Sequence, residues 1–341
     1  MPPDVPVPQR AEGGEAIYDL ARLFALRDAL QALDPSAPPT ARVLFPCLPV
    51  VPRRIGILCG SFNPLTRAHT VLADRARQVF QLDCVFFTLA RVTVDKEQVT
   101  GMSLEDRLLL LCLYAQRHRH LGVALVNRGL YVEQAQAFRA LCGPQAALYF
   151  IIGMDKLLQI FDPRYYDDRE VALRQLFALA SLLVANRGAM DQEVFLRFLA
   201  QPQNRPYRPF LHFFSLPDTV AELSATAIRQ TAATGKTIDD YVPPETAVFV
   251  TQTRAYHPPL QRGEDLVDAY ALRLRVLELL FTVRSWAVQE ADFRQLMHVA
   301  LSPDEKGQKL RRASGKGDVS ALLQACPGGS SSLLARQGER C

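Results

Sequence analysis

Two stretches of this chain carry residue types at spacings that suit phosphate-bearing ligands. The first runs Gly60-Ser61-Phe62-Asn63-Pro64-Leu65-Thr66-Arg67-Ala68-His69, directly after an apolar run at 55–59. A glycine at a strand end lets backbone amides approach a ligand closely. A helix starting just beyond it then presents unpaired N–H groups and a positive dipole end. Thr66 and His69, three residues apart, fall on one side of that first turn, where a hydroxyl and an imidazole could both face a polyphosphate. The loop lacks the GK[ST] of a Walker A sequence and the GxGxxG of a dinucleotide loop. The second stretch is Leu223-Ser224-Ala225-Thr226-Ala227-Ile228-Arg229. It sets two hydroxyls at a helix start and a guanidinium one turn inside, a second cradle for phosphate. Alone, that string also describes a capped surface helix with Arg229 in a surface ion pair. Following the first loop in this order, it becomes far more specific.

These loops need a scaffold, and the apolar pattern supplies one. Strands are predicted at 55–59, 84–89, 123–126, 148–152, 182–185 and 211–215. Between them lie helices: one through Leu72, Ala76, Val79 and Phe80, one starting at Ser103 with Asp106 three residues on, and others at 132–140 and near 169–179. Short continuous apolar strands alternating with helices predict an α/β fold, a Rossmann-like parallel sheet with helices on both faces. Ligands of such sheets bind beyond the carboxyl ends of the strands. That places the chemistry in the loops beginning at Gly60, Ala90, Asn127, Gly153, Asn186 and Ser215.

The flanks read differently. Residues 1–15, rich in proline and glycine, are expected to be disordered. Residues 16–52 form an N-terminal helical extension, with Ile17, Leu20, Leu23, Phe24 and Leu30 at helical spacing and DPSAPPT at 34–40 as its stop. The central domain covers 53–255, a second helical extension 256–300, and a flexible tail with GKGD and GGSSS runs 301–341.

Bulk properties narrow the function classes. The net charge is +4, and residues 301–341 hold seven Lys/Arg against four Asp/Glu, so the body is close to neutral. A broad nucleic-acid-binding face is therefore not expected. Seven cysteines without a CxxC pair read as reduced, mostly buried thiols, and no zinc or other metal site is indicated. No apolar stretch has the roughly 18–20 residues of a membrane span, and the N-terminus does not read as a secretory signal, so a cytoplasmic protein without membrane association is expected. His118 and His120, and Asp167-Asp168, read as solvated surface.

GSFNPLTRAH resembles the GSFNPxTxxH form of the (H/T)xxH signature of the nucleotidyltransferase superfamily, and LSATAIR resembles its ISSTxIR motif. Within it, the chain is similar to the nicotinamide/nicotinate mononucleotide adenylyltransferases. Ile151-Ile152-Gly153-Met154-Asp155 resembles their IIGxD segment, VANRG at 184–188 sits where they carry a basic residue and a glycine, and YVPPETAVFV at 241–250 resembles their closing helix. The resemblance covers about 200 residues and leaves both ends aside.

Carried over position by position, it implies that Gly60, Ser61 and Phe62 line the adenylate pocket through their backbone, with Thr66 beside the phosphates. His69 would hold the α- and β-phosphates; Ser224, Thr226 and Arg229 the triphosphate; Lys96 a further phosphate. Gly153, Asp155, Tyr131 and Arg187 would serve the nucleotide or dinucleotide product, and Tyr131, Phe161, Tyr165 or Tyr166 could stack a pyridine ring. Trp286, the single tryptophan, lies in the C-terminal extension. Two departures stand out: Ala68 replaces the glycine of the common HxGH form, and Ala225 replaces the second serine of ISSTxIR. Each could weaken phosphate binding by about 0.5–1.5 kcal/mol, the net worth of an ordinary hydrogen bond.

The implied reaction is attack by an acceptor phosphate on the α-phosphorus of ATP, expelling pyrophosphate, with Mg²⁺ accompanying ATP. The implied partners are ATP and a small phosphorylated acceptor, with a homo-oligomer as a further expectation. Two alternatives stay open: a relative on this fold with another acceptor, such as phosphopantetheine or a sugar or alcohol phosphate, and a nucleotide-binding sensor without turnover.

Overall fold

The computed structural model describes residues 16–49, 51–92, 101–283 and 290–318. The chain divides into two compact units: residues 25–246, and a smaller one of the described residues up to Phe24 and from Ala247 onward.

In the larger unit, helix α1 (Leu20–Ala32), whose first residues belong to the smaller unit, leads to strand β1 (Ala41–Phe45). Strands and helices then alternate through β2 (Arg54–Cys59), α2 (Arg67–Val79), β3 (Cys84–Ala90), α3 (Leu104–Ala115), β4 (Leu121–Val126), α4 (Tyr131–Cys142) and β5 (Ala147–Gly153). There follow α5 (Met154–Ile160), α6 (Arg169–Leu179), β6 (Ala180–Ala185), α7 (Gln192–Ala200), β7 (Leu211–Phe214), α8 (Asp218–Ala221) and α9 (Ala225–Ala233). Helix α10 (Pro244–Thr253) begins here and ends in the smaller unit.

The sheet order is β1-β4-β3-β2-β5-β6-β7. Every neighbouring pair is parallel except β1 with β4. Residues of β3 and β4 are buried almost throughout, as expected of parallel strands covered on both faces. Ile55, Ile57, Phe86, Ala124, Phe150 and Leu182 meet in one core cluster. Each of these isoleucine, leucine and phenylalanine side chains contributes about 1.5–3 kcal/mol on full burial. Gly122 is required by close packing: a Cβ there would lie 2.5 Å from the Phe86 ring. Helix α3 is buried all round, which explains its run of four leucines. Its N-cap Ser103 Oγ accepts a hydrogen bond from the Asp106 amide at 3.2 Å.

The chain winds from β2 outward through β3 to β4, then returns to the other side of β2 and winds outward through β5, β6 and β7. The direction reverses between β2 and β5, and ligands of open α/β sheets bind at the carboxyl ends of the strands at such a reversal. Cys59 and Gly153 end those two strands.

The flanks differ from expectation. Residues 41–45, placed in a helical extension by the sequence reading, form β1, which pairs antiparallel with β4. Buried Asn127 anchors the approach: its Oδ1 accepts from the Thr40 amide at 2.8 Å, and its Nδ2 donates to the carbonyls of Asp34, Ala37 and Pro38. A five-residue strand behind a proline-rich turn is too short for its alternation to announce itself. Helices α5 and α7 were likewise not expected.

The smaller unit holds a hairpin of β8 (Leu260–Arg262) and β9 (Asp265–Val267), then α11 (Ala269–Val283), α12 (Glu290–Ala300) and α13 (Glu305–Lys316). The expected helical extension thus contains a hairpin, and the expected flexible tail begins with a capped helix. Asp304 Oδ1 accepts from the Gly307 amide at 2.8 Å, and Gly317 closes α13 at φ +71°. Arg273, 1% exposed, donates to the Ile17 carbonyl at 2.9 Å and lies against the rings of Tyr18, Phe249 and Phe293. Residues 1–15 and 319–341, and Trp286, lie outside the described residues.

Candidate active site

Strand β2 delivers the chain into Gly60, whose amide donates to the Thr88 carbonyl of β3 at 3.2 Å. Two residues on, Phe62 adopts φ +43°, a left-handed conformation uncommon for a bulky residue and held here by its surroundings. Its ring is 1% exposed, edge-on to Phe87 at 5.4 Å and to His69 at 5.1 Å. The loop is thus pinned from below, and Gly60 leaves room for the ring, since a Cβ there would sit 3.2 Å from it.

Thr66 caps α2 and fixes the state of His69. The Thr66 amide donates to His69 Nδ1 at 3.1 Å, and Thr66 Oγ1 lies 2.8 Å from the same nitrogen. A ring nitrogen that accepts from a backbone N–H cannot carry a proton, so the neutral imidazole holds its proton on Nε2. Burial, and secondarily the Arg187 charge, push the His69 pKa down to about 4. His69 is therefore a neutral, oriented donor on the cavity wall. Thr66 itself is 1% exposed and does not line the cavity. The expectation that Thr66 faces a polyphosphate is corrected: its groups are turned to the histidine.

The second motif reaches the first directly. Ser224 caps α9, and one turn in, Arg229 Nη1 donates to the Asn63 carbonyl at 2.7 Å, across 166 residues of sequence. Arg229 Nη2 donates to Thr226 Oγ1 at 3.1 Å. Asn63, 1% exposed, accepts on Oδ1 from the Met102 amide at 3.2 Å.

Both motifs open on one cavity of about 740 Å³ at the carboxyl ends of the central strands. Its wall includes the predicted residues Gly60, Ser61, His69, Ser224, Thr226 and Arg229, and also Tyr131, Asp155 and Arg187. Phe62 lies beneath the wall, and Gly153 is also not part of it. Gly153 acts by absence of a side chain, because a Cβ there would meet Asp155 Oδ1 at 2.6 Å. Asp155 Oδ2 stands 3.6 Å from Arg187 Nε, both half exposed. Lys96 lies in 93–100, outside the described residues. Among the aromatic candidates, Tyr165 and Tyr166 line the cavity, whereas Phe161 is in the core, edge-on to Phe198 at 5.0 Å.

Sequence reasoning passed over Arg91, Arg107, Gln134 and Lys156, which also line the cavity. Arg91 and Lys156 could have been found by the strand-end rule alone, since they follow Ala90 and Gly153 closely. Arg107 Nε donates to the Met102 carbonyl at 2.7 Å, which holds a buried guanidinium at the wall. Cys59 donates its thiol hydrogen to Gln134 Oε1 at 2.6 Å, and burial pushes its pKa up, so it is no nucleophile.

Among the described residues, the lining contains Arg91, Arg107, Lys156, Arg187 and Arg229 against one carboxylate, Asp155. Such an imbalance suits a polyanion. Oriented donors can hold phosphate groups in line and neutralise charge building on a leaving group, which is what phosphoryl chemistry asks of a protein.

The cytidylyltransferase-like family model matches residues 57–231. A probable nicotinate-nucleotide adenylyltransferase of Synechococcus sp. (strain JA-3-3Ab) is 31% identical over 212 residues, covering 61% of this chain and 96% of that protein. One from Pelobacter propionicus is 26% identical over 221 residues, covering 60% and 98%. A solved Plasmodium falciparum nicotinic acid mononucleotide adenylyltransferase complexed with NaAD is a more distant likeness, with 17% identity and a TM-score of 0.45 over 60% of this chain and 97% of that one. The family match runs through the two motifs that meet at the cavity, and the chain belongs to the cytidylyltransferase-like nucleotidyltransferases, enzymes in the company of the nicotinate-nucleotide adenylyltransferases.

Proposed function

We propose that this protein transfers the adenylyl group of ATP to the phosphate of a pyridine mononucleotide. An oxygen of the acceptor phosphate forms a bond to the α-phosphorus. The bond from that phosphorus to the bridging oxygen breaks, and pyrophosphate leaves with the electron pair. The observation that carries this reading is the 2.7 Å bond from Arg229 to the Asn63 carbonyl, which holds the second phosphate cradle against the first. The names of the relatives support the acceptor class.

In this reading, His69 donates from Nε2 to an α- or β-phosphate oxygen, and Ser224, Thr226 and Arg229 hold the β- and γ-phosphates. Asp155 and Arg187 serve the ribose and base of the nucleotide. No protein nucleophile is needed, because alignment of two anions and neutralisation of the leaving group supply the acceleration. Among the described residues, Asp155 is the one carboxylate on the wall, and it stands beside Arg187. A Mg²⁺ would thus be held by ATP oxygens and water, and when bound it neutralises phosphate charge.

The test mixes protein, ATP, Mg²⁺ and a panel of nicotinate mononucleotide, nicotinamide mononucleotide, phosphopantetheine and glycerol phosphate, with products read by mass. A pyridine dinucleotide plus pyrophosphate is expected. A different adduct would move the acceptor elsewhere, and ATP binding without pyrophosphate release would leave a sensor.

A further inference from the structure

Part of the cavity wall differs in chemistry from the hydroxyls and guanidinium of Ser224, Thr226 and Arg229. Lys156, in the first turn of α5, lines the wall half buried, and its one hydrogen bond among the described residues is to the neutral amide oxygen of Gln159. Gln159 in turn donates to Tyr165 Oη at 3.1 Å. No acidic partner within ion-pair distance of Lys156 occurs among the described residues. An ammonium carries three donors, so two remain for a ligand. A half-buried ammonium whose other donors face the cavity can exchange water for charge-assisted hydrogen bonds to an anion.

The surroundings say which anion. Tyr131, Tyr165 and Tyr166 share this wall with Lys156. The Tyr166 hydroxyl donates to the Ile160 carbonyl at 2.8 Å, and that of Tyr165 accepts from Gln159. Burial keeps the Tyr131 hydroxyl neutral, and its ring packs edge-on against Phe150 at 5.1 Å. Tyr165 and Tyr166, half buried on this wall, can offer a ligand ring surface. A phosphate wants hydroxyls and guanidinium forks, as at Ser224, Thr226 and Arg229; a flat aromatic acid wants ring faces with one cation at the edge. The two arginines of this cavity that follow β3 are engaged with backbone carbonyls, Arg91 with Leu33 and Arg107 with Met102. Lys156 differs from both in that its partner among the described residues is a side-chain amide.

We infer that Lys156 is a specificity residue of the acceptor subsite: its ammonium receives the ring carboxylate of an aromatic-acid mononucleotide and so favours the acid over the amide. This rests on the adenylyl-transfer reading above. Loss of a charge-assisted hydrogen bond to a carboxylate corresponds to roughly ten- to a hundredfold in affinity or rate.

The test compares the full chain with Lys156→Met and Lys156→Arg, using nicotinate and nicotinamide mononucleotides as acceptors with ATP and Mg²⁺. Thermal unfolding confirms that each variant is folded. In the wild type, kcat/KM should favour the acid. Lys156→Met should lower kcat/KM for the acid by roughly ten- to a hundredfold and for the amide by less than about threefold, and Lys156→Arg should restore much of the preference. An equal fall for both acceptors would overturn the inference, since it marks a phosphate contact or a structural role; so would no change with either. If the wild type uses neither mononucleotide, the adenylyl-transfer reading itself falls. If it uses them without a Lys156-dependent preference, only the lysine assignment falls.

Discussion

At the scale of single residues, His69 shows how a backbone amide can decide a side chain's chemistry. The Thr66 N–H occupies Nδ1, so the ring presents a neutral Nε2–H to the cavity. His69→Ala should lower turnover at least about a hundredfold while the protein stays folded, the usual cost of losing one preorganised donor to developing charge. Initial rates alongside thermal unfolding check this, and near-normal turnover would remove His69 from the chemistry. The protonation state has its own consequence. Folded His69 refuses a proton until about pH 4, whereas an unperturbed imidazole takes one near 6.5. Between those values the unfolded chain binds more protons, so this site adds stability as pH rises through the window and withdraws it as pH falls. His69→Gln should flatten that part of the melting temperature's dependence on pH. An unchanged slope would mean that the imidazole titrates normally.

At the scale of elements, the site depends on α9 being tied to the loop before α2. Arg229 makes that tie and also lines the cavity, so it both positions the second cradle and contributes charge to it. A guanidinium can serve two acceptors at fixed angles, which an ammonium cannot reproduce. Arg229→Lys should therefore reduce kcat/KM for ATP roughly ten- to a hundredfold although the charge is kept. Steady-state kinetics at varied ATP decide it, and a variant within about threefold of wild type would show that charge alone suffices. The same segment is braced from the other side, since the Arg67 amide donates to the Tyr241 carbonyl at 2.9 Å.

At the scale of the whole molecule, the cavity and its cradles fall within residues 59–229, inside the unit spanning 25–246. Removing residues 260–341 should leave adenylyl transfer within about threefold, because the described lining residues all lie upstream of the removed segment. Stability should fall, because Phe249, fully buried, packs against Arg273 and Tyr270 in the smaller unit. The mass assay and a thermal melt on the shortened chain check both halves. Lost turnover in a folded fragment would assign residues beyond 260 to the reaction.

The sequence by itself determined the alternation of strands and helices, and it marked the two stretches that meet at the cavity beyond the strand ends. Each of those is written locally, in apolar periodicity, in a glycine at a strand end and in hydroxyls at a helix start. Helix α6 occupies the residues predicted for it, and β2, β3 and β5 lie within a residue or two of expectation. Only the tertiary structure decided that β1 closes the sheet edge, because a five-residue run gains its strand character from β4 and Asn127 rather than from its own pattern. The inward turn of Thr66 was equally illegible: spacing places it beside His69 but cannot say that Nδ1 claims it. Lys156 became visible only once folding set it on a cavity wall with three tyrosines and, among the described residues, with no carboxylate in ion-pair contact, since a lone lysine in sequence is indistinguishable from a solvated one.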